Sequence, residues 1–320
     1  PEILDARARG ASVMRFRGSV FGFLWLKPPM RLRLPDRVIP FPRRPLIMGI
    51  VNVNDDSFSG DGTLDFDAAI EKAREQIRHG ADAIDVGAES ARTNRAAVRV
   101  DEEVRRFGGF LERWENSWSD LQPKDSAQIW PPILSANTWR PEVVREILPN
   151  KKIELLNDMS ALPDETKARL CAKHGTALLI MHSVGEPKIP HIHQQWADVI
   201  KSMEKFFEEK IVLALQAGID RDALVLDPGI DFAKQRDDNL SVMRELSRLQ
   251  RFELPILAPV SRKKVIGEVL GIADPKDRDA GTVACIAACM QGGANILRVH
   301  HVAAAWQSVK ALHALGSPRG

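Results

Sequence analysis

The sequence predicts an α/β fold, a TIM-type (β/α)8 barrel preceded by an N-terminal extension. Three observations carry this. Short apolar runs alternate with amphipathic stretches from residue 46 onward, and eight such runs occur. The 320-residue chain also has the length for the roughly 250 residues that such a barrel needs. A doubly wound open sheet is the competing architecture, and a count of eight favours closure.

Residues 1–45 are rich in Arg and Pro and hold strand-like pieces, FGFLWLK at 21–27 and RLRLP at 31–35. They predict a hairpin closing the barrel floor, with a partly disordered leader as the alternative. The expected division is therefore 1–45 extension and 46–320 barrel. The strand runs are LIMGIVNV (46–53), ADAIDVG (81–87), PPILSA (131–136), KIELLND (152–158), TALLIMH (176–182), ALVLDPG (223–229), PILAPVS (255–261) and NILRVHH (295–301). Their near lack of alternation suits parallel strands buried on both faces. FDAAIEKAREQIRHG (66–80) places Phe66, Ala69, Ile70, Ala73 and Ile77 on one helical face and stops at Gly80. Residues 193–218 predict the longest helix, ending at Gly218, and 302–316 the last. The polar segment 117–129 reads as a loop inserted before the third strand.

Composition narrows the classes. A net charge of +2 gives no argument for nucleic acid or an anionic membrane. No apolar segment approaches a bilayer span, and residues 21–27 lack the cleavage site of a signal peptide. Three scattered cysteines predict a reducing compartment, hence the cytoplasm. Cys285 and Cys289, four apart on a predicted helix, read as core residues, with a shared metal as the alternative. HIH at 191–193 has metal-ligand chemistry but reads as solvent-facing loop.

Chemistry in a TIM barrel collects at the C-terminal strand ends. The sequence puts there Asn52, Asp85, Asn137, Asn157, His182, Asp227, Ser261-Arg262-Lys263, Arg298 and His300. Any one of these is explained by a loop cap; a polar residue on every strand is not. Arg298 and His300 are two apart, so they share one side of a strand and predict a phosphate site. In LVLDPGIDF, Asp227 ends a buried strand, where an unpaired acid costs free energy. A planar heterocycle with a guanidine-like edge satisfies it through paired N–H donors.

Several stretches resemble the dihydropteroate synthase family in the family's own order. They are MGIVNVNDDSFSGDG, ADAIDVGAESAR, LLND, LIMH, LDPGIDFAK, SRKKVIG, AGTVACIAA and ILRVH, and they span roughly residues 46–315. The resemblance implies a cytoplasmic enzyme of folate biosynthesis. In it a dihydropterin methyl pyrophosphate loses pyrophosphate, and the amine of 4-aminobenzoate attacks the methylene carbon. It implies that Asp227, Asn157 and Lys263 hold the pterin, with Asp85 and Asn137 beside them. It implies that Asn52, Ser90, Arg92, Arg298 and His300 hold the pyrophosphate, with Mg2+ shared by Asn52. Phe232, Arg262 and Lys264 would meet the acceptor, and Asp227, Lys263 and Asn137 would serve catalysis. A homodimer through the last helices is also implied.

The chain departs from the family pattern at identifiable places. Asn137 stands where the pattern has Asp, and Asn54-Asp55 where it has Thr-Pro. Ala91, Thr93 and Asn94 alter the second loop. Asp231 and Pro259 replace Gly, Lys264 replaces Ser, and His301 replaces Asp. The pyrophosphate set is nearly whole, and the changes gather on the acceptor side. They predict an anionic arylamine seated by Lys264 and poor sulfonamide binding, with a solvent-facing Lys264 as the alternative. A pterin-binding paralogue without synthase activity and a pterin-dependent methyltransferase are the rival functions. The methyltransferase has no need of the SRK and RVH phosphate ligands.

Overall fold

The computed structural model describes residues 30–55, 62–90, 96–189, 191 and 193–316. Eight parallel strands form the central sheet: β3 (Leu46–Asn52), β4 (Ala83–Gly87), β5 (Ile133–Asn137), β6 (Leu155–Asp158), β7 (Ala177–Met181), β8 (Leu224–Asp227), β9 (Leu257–Ala258) and β10 (Ile296–Val299). Each falls within or beside one of the predicted runs. Neighbouring strands pair in chain order from β3 to β8, and β10 sits between β9 and β3. A bridge between Leu226 and Ile256 joins β8 to the segment leading into β9 and completes the ring. The strands are buried almost throughout, which is why their sequences do not alternate.

Before the barrel, β1 (Arg31–Arg33) and β2 (Val38–Pro40) form an antiparallel hairpin with Leu32 opposite Ile39. Both of those side chains are buried, as is Phe41. Arg31 and Arg33 donate to Asp222 at 2.7 and 2.9 Å, just ahead of β8. The hairpin thus lies at the N-terminal end of the strands. The strand expected at 21–27 falls outside the described residues.

The helices are α1 (Phe66–Arg78), α2 (Val100–Trp114), α3 (Pro141–Ile147), α4 (Thr166–His174), α5 (Val199–Gln216), α6 (Arg236–Arg244), α7 (Lys264–Leu270), α8 (Asp279–Gln291) and α9 (Val302–Gly316). In α1 the Asp65 side chain accepts from the backbone N–H groups of Asp67 and Ala68, which have no intrahelical partner. Ala69, Ala73 and Ile77 turn inward, as the sequence predicts. The helix lies close on β3 at Gly49, where a Cβ would come 2.0 Å from Gln76 Oε1. The long helix starts later than predicted, at Val199 rather than 193. The Asp198 side chain caps it by accepting from Lys201 N at 3.0 Å, and the preceding residues are loop.

Segment 117–129 is irregular but bound. Gln128 Nε2 donates to the carbonyls of Ile77 and Ala81, and Ile129 N donates to Asp82. Asp82 is fully buried beneath the barrel, paired through both oxygens with Arg44 at 2.7 and 3.0 Å.

Candidate active site

Register decides which side chains enter the barrel mouth. Asn52 aligns with Gly87, Gly87 with Asn137, and Asn137 with Asn157. One layer deeper Asp85 aligns with Ser135. In-register residues of parallel strands share a face, so these polar groups converge on the barrel axis from four neighbouring strands.

Asp85 is the centre of this layer. It is fully buried and accepts four hydrogen bonds: Ser135 Oγ at 2.6 Å, Asn157 Nδ2 at 3.0 Å, Asn137 Nδ2 at 3.3 Å and Arg298 Nε at 2.7 Å. Three of these donors reach Oδ2, and Oδ1 accepts from Ser135 alone among the described residues, so Asp85 orients its neighbours through one oxygen. Because Asp85 only accepts, both asparagines must turn Nδ2 toward it, and their oxygens face away. The Oδ1 atoms of Asn137 and Asn157 are buried with no donor among the described residues. Two unsatisfied buried acceptors in one layer are costly and mark a place for a ligand with N–H groups.

Asp227 stands at the tip of β8 and is 3% exposed. Its Oδ1 accepts from Gly229 N at 2.7 Å. Gly229 is required here: its φ is +65°, and a Cβ would lie 2.0 Å from His182 O. Burial pushes the Asp227 carboxyl up to about 6, while the Gly229 N–H and then Lys263, Arg298 and Lys234 pull it down. Lys234, which the sequence motifs did not single out, donates to the carbonyls of His182, Gly229 and Phe232. Burial lowers its ammonium to about 7. The signal for it was a lysine closing LDPGIDFAK among apolar neighbours. His182 packs against Trp196 and Phe206, and burial holds its ring neutral.

Lys263 donates to Ile230 O at 2.8 Å and lies 5.0 Å from the centre of the Phe232 ring. Burial lowers its ammonium, against the pull of Asp231 and Asp227. Ser261 Oγ accepts from His300 N at 3.0 Å and lies 2.9 Å from His300 Nδ1. A hydroxyl that donates to Nδ1 leaves the ring hydrogen on Nε2. Arg298 uses Nε on Asp85, and its two terminal nitrogens make no hydrogen bond among the described residues. Ser90 is buried beside this mouth and Asn52 partly so; Arg92 lies outside the described residues. Glu89, buried next to Ser90, binds Arg140, Lys188 and Val98 N, tying the loops after β4, β5 and β7 together. A cavity of about 300 Å³ opens on the β6–β8 side of the mouth, lined by Trp139, Met159, Phe232, Lys234 and Lys264 among others.

Two expected acceptor residues are held by protein carboxylates, and Lys264 with its partner Glu268 lines the rim of this cavity. Arg262 makes a two-pronged pair with Asp279 of α8 at 2.8 and 2.9 Å. Lys264 pairs with Glu268 one helical turn on at 2.9 Å, and its side chain is 71% exposed. An ammonium at the first position of a helix is well placed to meet the i+4 carboxylate. The described residues hold no group of three His, Cys, Asp or Glu able to bind a metal. His191 accordingly lies against Glu186 O at 3.3 Å, and the three cysteines are free thiols. No helix among the described residues is long and apolar enough to cross a membrane.

Comparison with known proteins agrees with this architecture. Residues 48–300 match the model of the family described as pterin binding enzyme. The dihydropteroate synthase of Escherichia coli K12 is 34% identical over 273 residues, 84% of this chain and 91% of that protein. That of Synechocystis sp. is 32% identical over 289 residues, covering 90% and 96%. Among solved structures, the Yersinia pestis dihydropteroate synthase in complex with a sulfonamide drug superposes with a TM-score of 0.80 at 30% identity, covering 91% of this chain and all of that one. The Xanthomonas albilineans dihydropteroate synthase with 4-aminobenzoic acid gives 0.78 at 33% identity with the same coverage.

Proposed function

This chain belongs to the pterin-binding enzymes, and from that membership we propose that it is a dihydropteroate synthase, a transferase of folate biosynthesis. It condenses 6-hydroxymethyl-7,8-dihydropterin pyrophosphate with 4-aminobenzoate or a related arylamine and releases pyrophosphate. The observation that carries this is the pair of buried amide oxygens on Asn137 and Asn157 that have no donor among the described residues, at the same end of the barrel as the buried Asp227 carboxylate. The pterin ring offers a row of N–H groups along its aminopyrimidine edge. Asp227 accepts from that edge, Asn157 and Asn137 from its neighbours, and Lys263, close to Asp227, donates to the ring.

The reaction needs negative charge to leave one end of the substrate while positive charge grows on the other. Arg298, held by Asp85, turns its terminal N–H groups to the departing pyrophosphate, and His300 adds Nε2–H. Fixed donors of this kind favour charge separation without reorganising as it happens. Asp227 balances the pterin cation. The acceptor amine reaches the methylene carbon along the Phe232 wall, and Ser90 and Arg92 are assigned to the phosphates.

Asn52 supplies one neutral oxygen at the mouth, with no carboxylate cluster around it among the described residues. This fits Mg2+ brought in with the diphosphate, since that ion keeps much of its water and takes few protein ligands. When bound, it supplies charge neutralisation to the leaving group. For the assembly we favour a homodimer through the last helices. The sequence of α8 is apolar nearly all round, yet only Thr282, Ile286 and Cys289 are buried. The free thiols support a cytoplasmic setting. Residues 1–45 are assigned to an extension and 46–320 to the catalytic barrel.

Calorimetry tests the reading. The wild type should bind the pterin pyrophosphate, and Asp227→Asn should lose about 2–3 kcal/mol, the worth of a charge-assisted hydrogen bond. Unchanged affinity in the variant would remove Asp227 from the site.

A further inference from the structure

Two of the positions at which the chain departs from its family pattern, Asp231 and Lys264, lie 33 residues apart and touch. Asp231 Oδ2 accepts from Lys264 N at 2.5 Å and Oδ1 from Val265 N at 3.2 Å. These are two of the first N–H groups of α7, which have no carbonyl partner within the helix. The local N-cap residue, Lys263, makes no side-chain cap bond. The cap comes instead from the loop after β8.

The contact is braced and specific. Asp231 holds a left-handed φ of +68°, a conformation that glycine takes freely and other residues take at a cost. Asn239 of α6, 2% exposed, accepts from Asp231 N at 2.7 Å and donates to its Oδ1 at 3.3 Å. On either side of the cap, Lys263 Nζ donates to Ile230 O and sits over the Phe232 ring. Residues 230–232 and 263–265 are thus joined group by group, and the cap is flanked by Phe232, which lines the cavity at the mouth, and by Lys263, assigned above to the pterin. A glycine at 231 relieves the backbone but leaves the start of α7, and Lys263 with it, untied from the β8 loop.

We propose that Asp231 is a positioning residue for Lys263 and Phe232, its carboxylate capping α7 across 33 residues of sequence and so fixing the two loops as one wall of the pterin cavity. This rests on the reading of the site as a pterin site. The carboxylate touches no substrate; it acts through Lys263.

The test compares Asp231→Gly and Asp231→Asn with the wild type in two readouts. The first is amide hydrogen exchange at Lys264 and Val265 in the ligand-free protein. Asp231→Gly should speed it about tenfold or more, as removal of one charge-assisted bond would, and Asp231→Asn, which keeps one acceptor oxygen, should speed it less. The second is steady-state kinetics. In Asp231→Gly the pterin KM should rise about tenfold as Lys263 loses its support, and the acceptor KM should rise with it because Phe232 loses the same support; Asp231→Asn should recover most of both. A stabilising role alone would lower the melting temperature and leave the pterin KM of the folded enzyme unmoved. Unchanged exchange in Asp231→Gly overturns the cap, and faster exchange with an unchanged pterin KM overturns the positioning role. A wild type that binds no pterin sinks the parent reading, and the positioning role falls with it, while exchange still decides the cap.

Discussion

Arg298 on β10 and Asp85 on β4 meet at 2.7 Å across the intervening strand β3. The same carboxylate holds Asn137 and Asn157 by their amide nitrogens. One buried acid thereby holds the arginine proposed for the phosphates and both amides proposed for the pterin.

Asp85→Ala should therefore damage binding of both halves of the substrate. It strands three donors and leaves Arg298 uncompensated, and each such change costs about 1–3 kcal/mol. Turnover should fall by roughly 100-fold or more, with a lower melting temperature. Turnover within about twofold of wild type would show that the asparagines and Arg298 are held by other means.

Asn137→Asp places a second carboxylate against Asp85. The amide donor is gone, and two acids in contact cannot both ionise freely, so one takes a raised folded pKa. A raised pKa gives stability that is full below the unfolded value and lost as pH rises through the folded one. The variant should thus be less stable than wild type at pH 8 by about 1–3 kcal/mol, with the gap narrowing toward pH 5. Thermal melts across that range check it; a pH-independent gap would contradict the pairing of the two acids.

Asp227 sets a pH limit on pterin binding. Its carboxyl is raised by burial from an ordinary 3.8 to about 6. Below about 6 it is protonated and can no longer accept both N–H groups. Affinity should fall about tenfold per pH unit there and stay level above. For folding the sign runs the other way: the shift stabilises below pH 3.8, and this is lost as pH rises through about 6. Calorimetric titrations at several pH values should show the limb, and Asp227→Asn should erase it.

Beneath the barrel, Arg44 and Asp82 are 4% and 0% exposed. Asp82→Ala leaves a buried guanidinium without its partner and two backbone N–H groups, of Ile47 and Ile129, without acceptors. Stability should drop by about 3–5 kcal/mol with little change in the KM values of the folded fraction. A drop of under about 1 kcal/mol in denaturant melts would contradict this.

Lys264→Ser, the family's residue, should change the 4-aminobenzoate KM by less than about twofold, because surface pairs such as Lys264–Glu268 contribute little. A clear rise in that KM would return Lys264 to the acceptor site, where the sequence motif alone would put it.

The barrel was legible because buried parallel strands are written as unbroken apolar runs, and its chemistry because polar residues end those runs. Reach was not legible. Lys264 and Arg262 lie in a motif that points to the mouth, but their partners, Glu268 and Asp279, are set by the paths of α7 and α8. Nothing in the sequence says that Ser135, Asn137, Asn157 and Arg298 all arrive at the Asp85 carboxylate. The early start given to α5 has a similar cause. Trp196 continues the helical pattern, yet it is held by stacking on His182 and by its bond to Ala233 O at 2.7 Å.

The most direct test of the account is turnover itself, with pyrophosphate release followed from 6-hydroxymethyl-7,8-dihydropterin pyrophosphate, Mg2+ and the purified chain. The expected result is release that requires 4-aminobenzoate or another arylamine and matches the pteroate product one for one. Pterin binding without release, whichever arylamine is supplied, would contradict the synthase and leave only a binding protein.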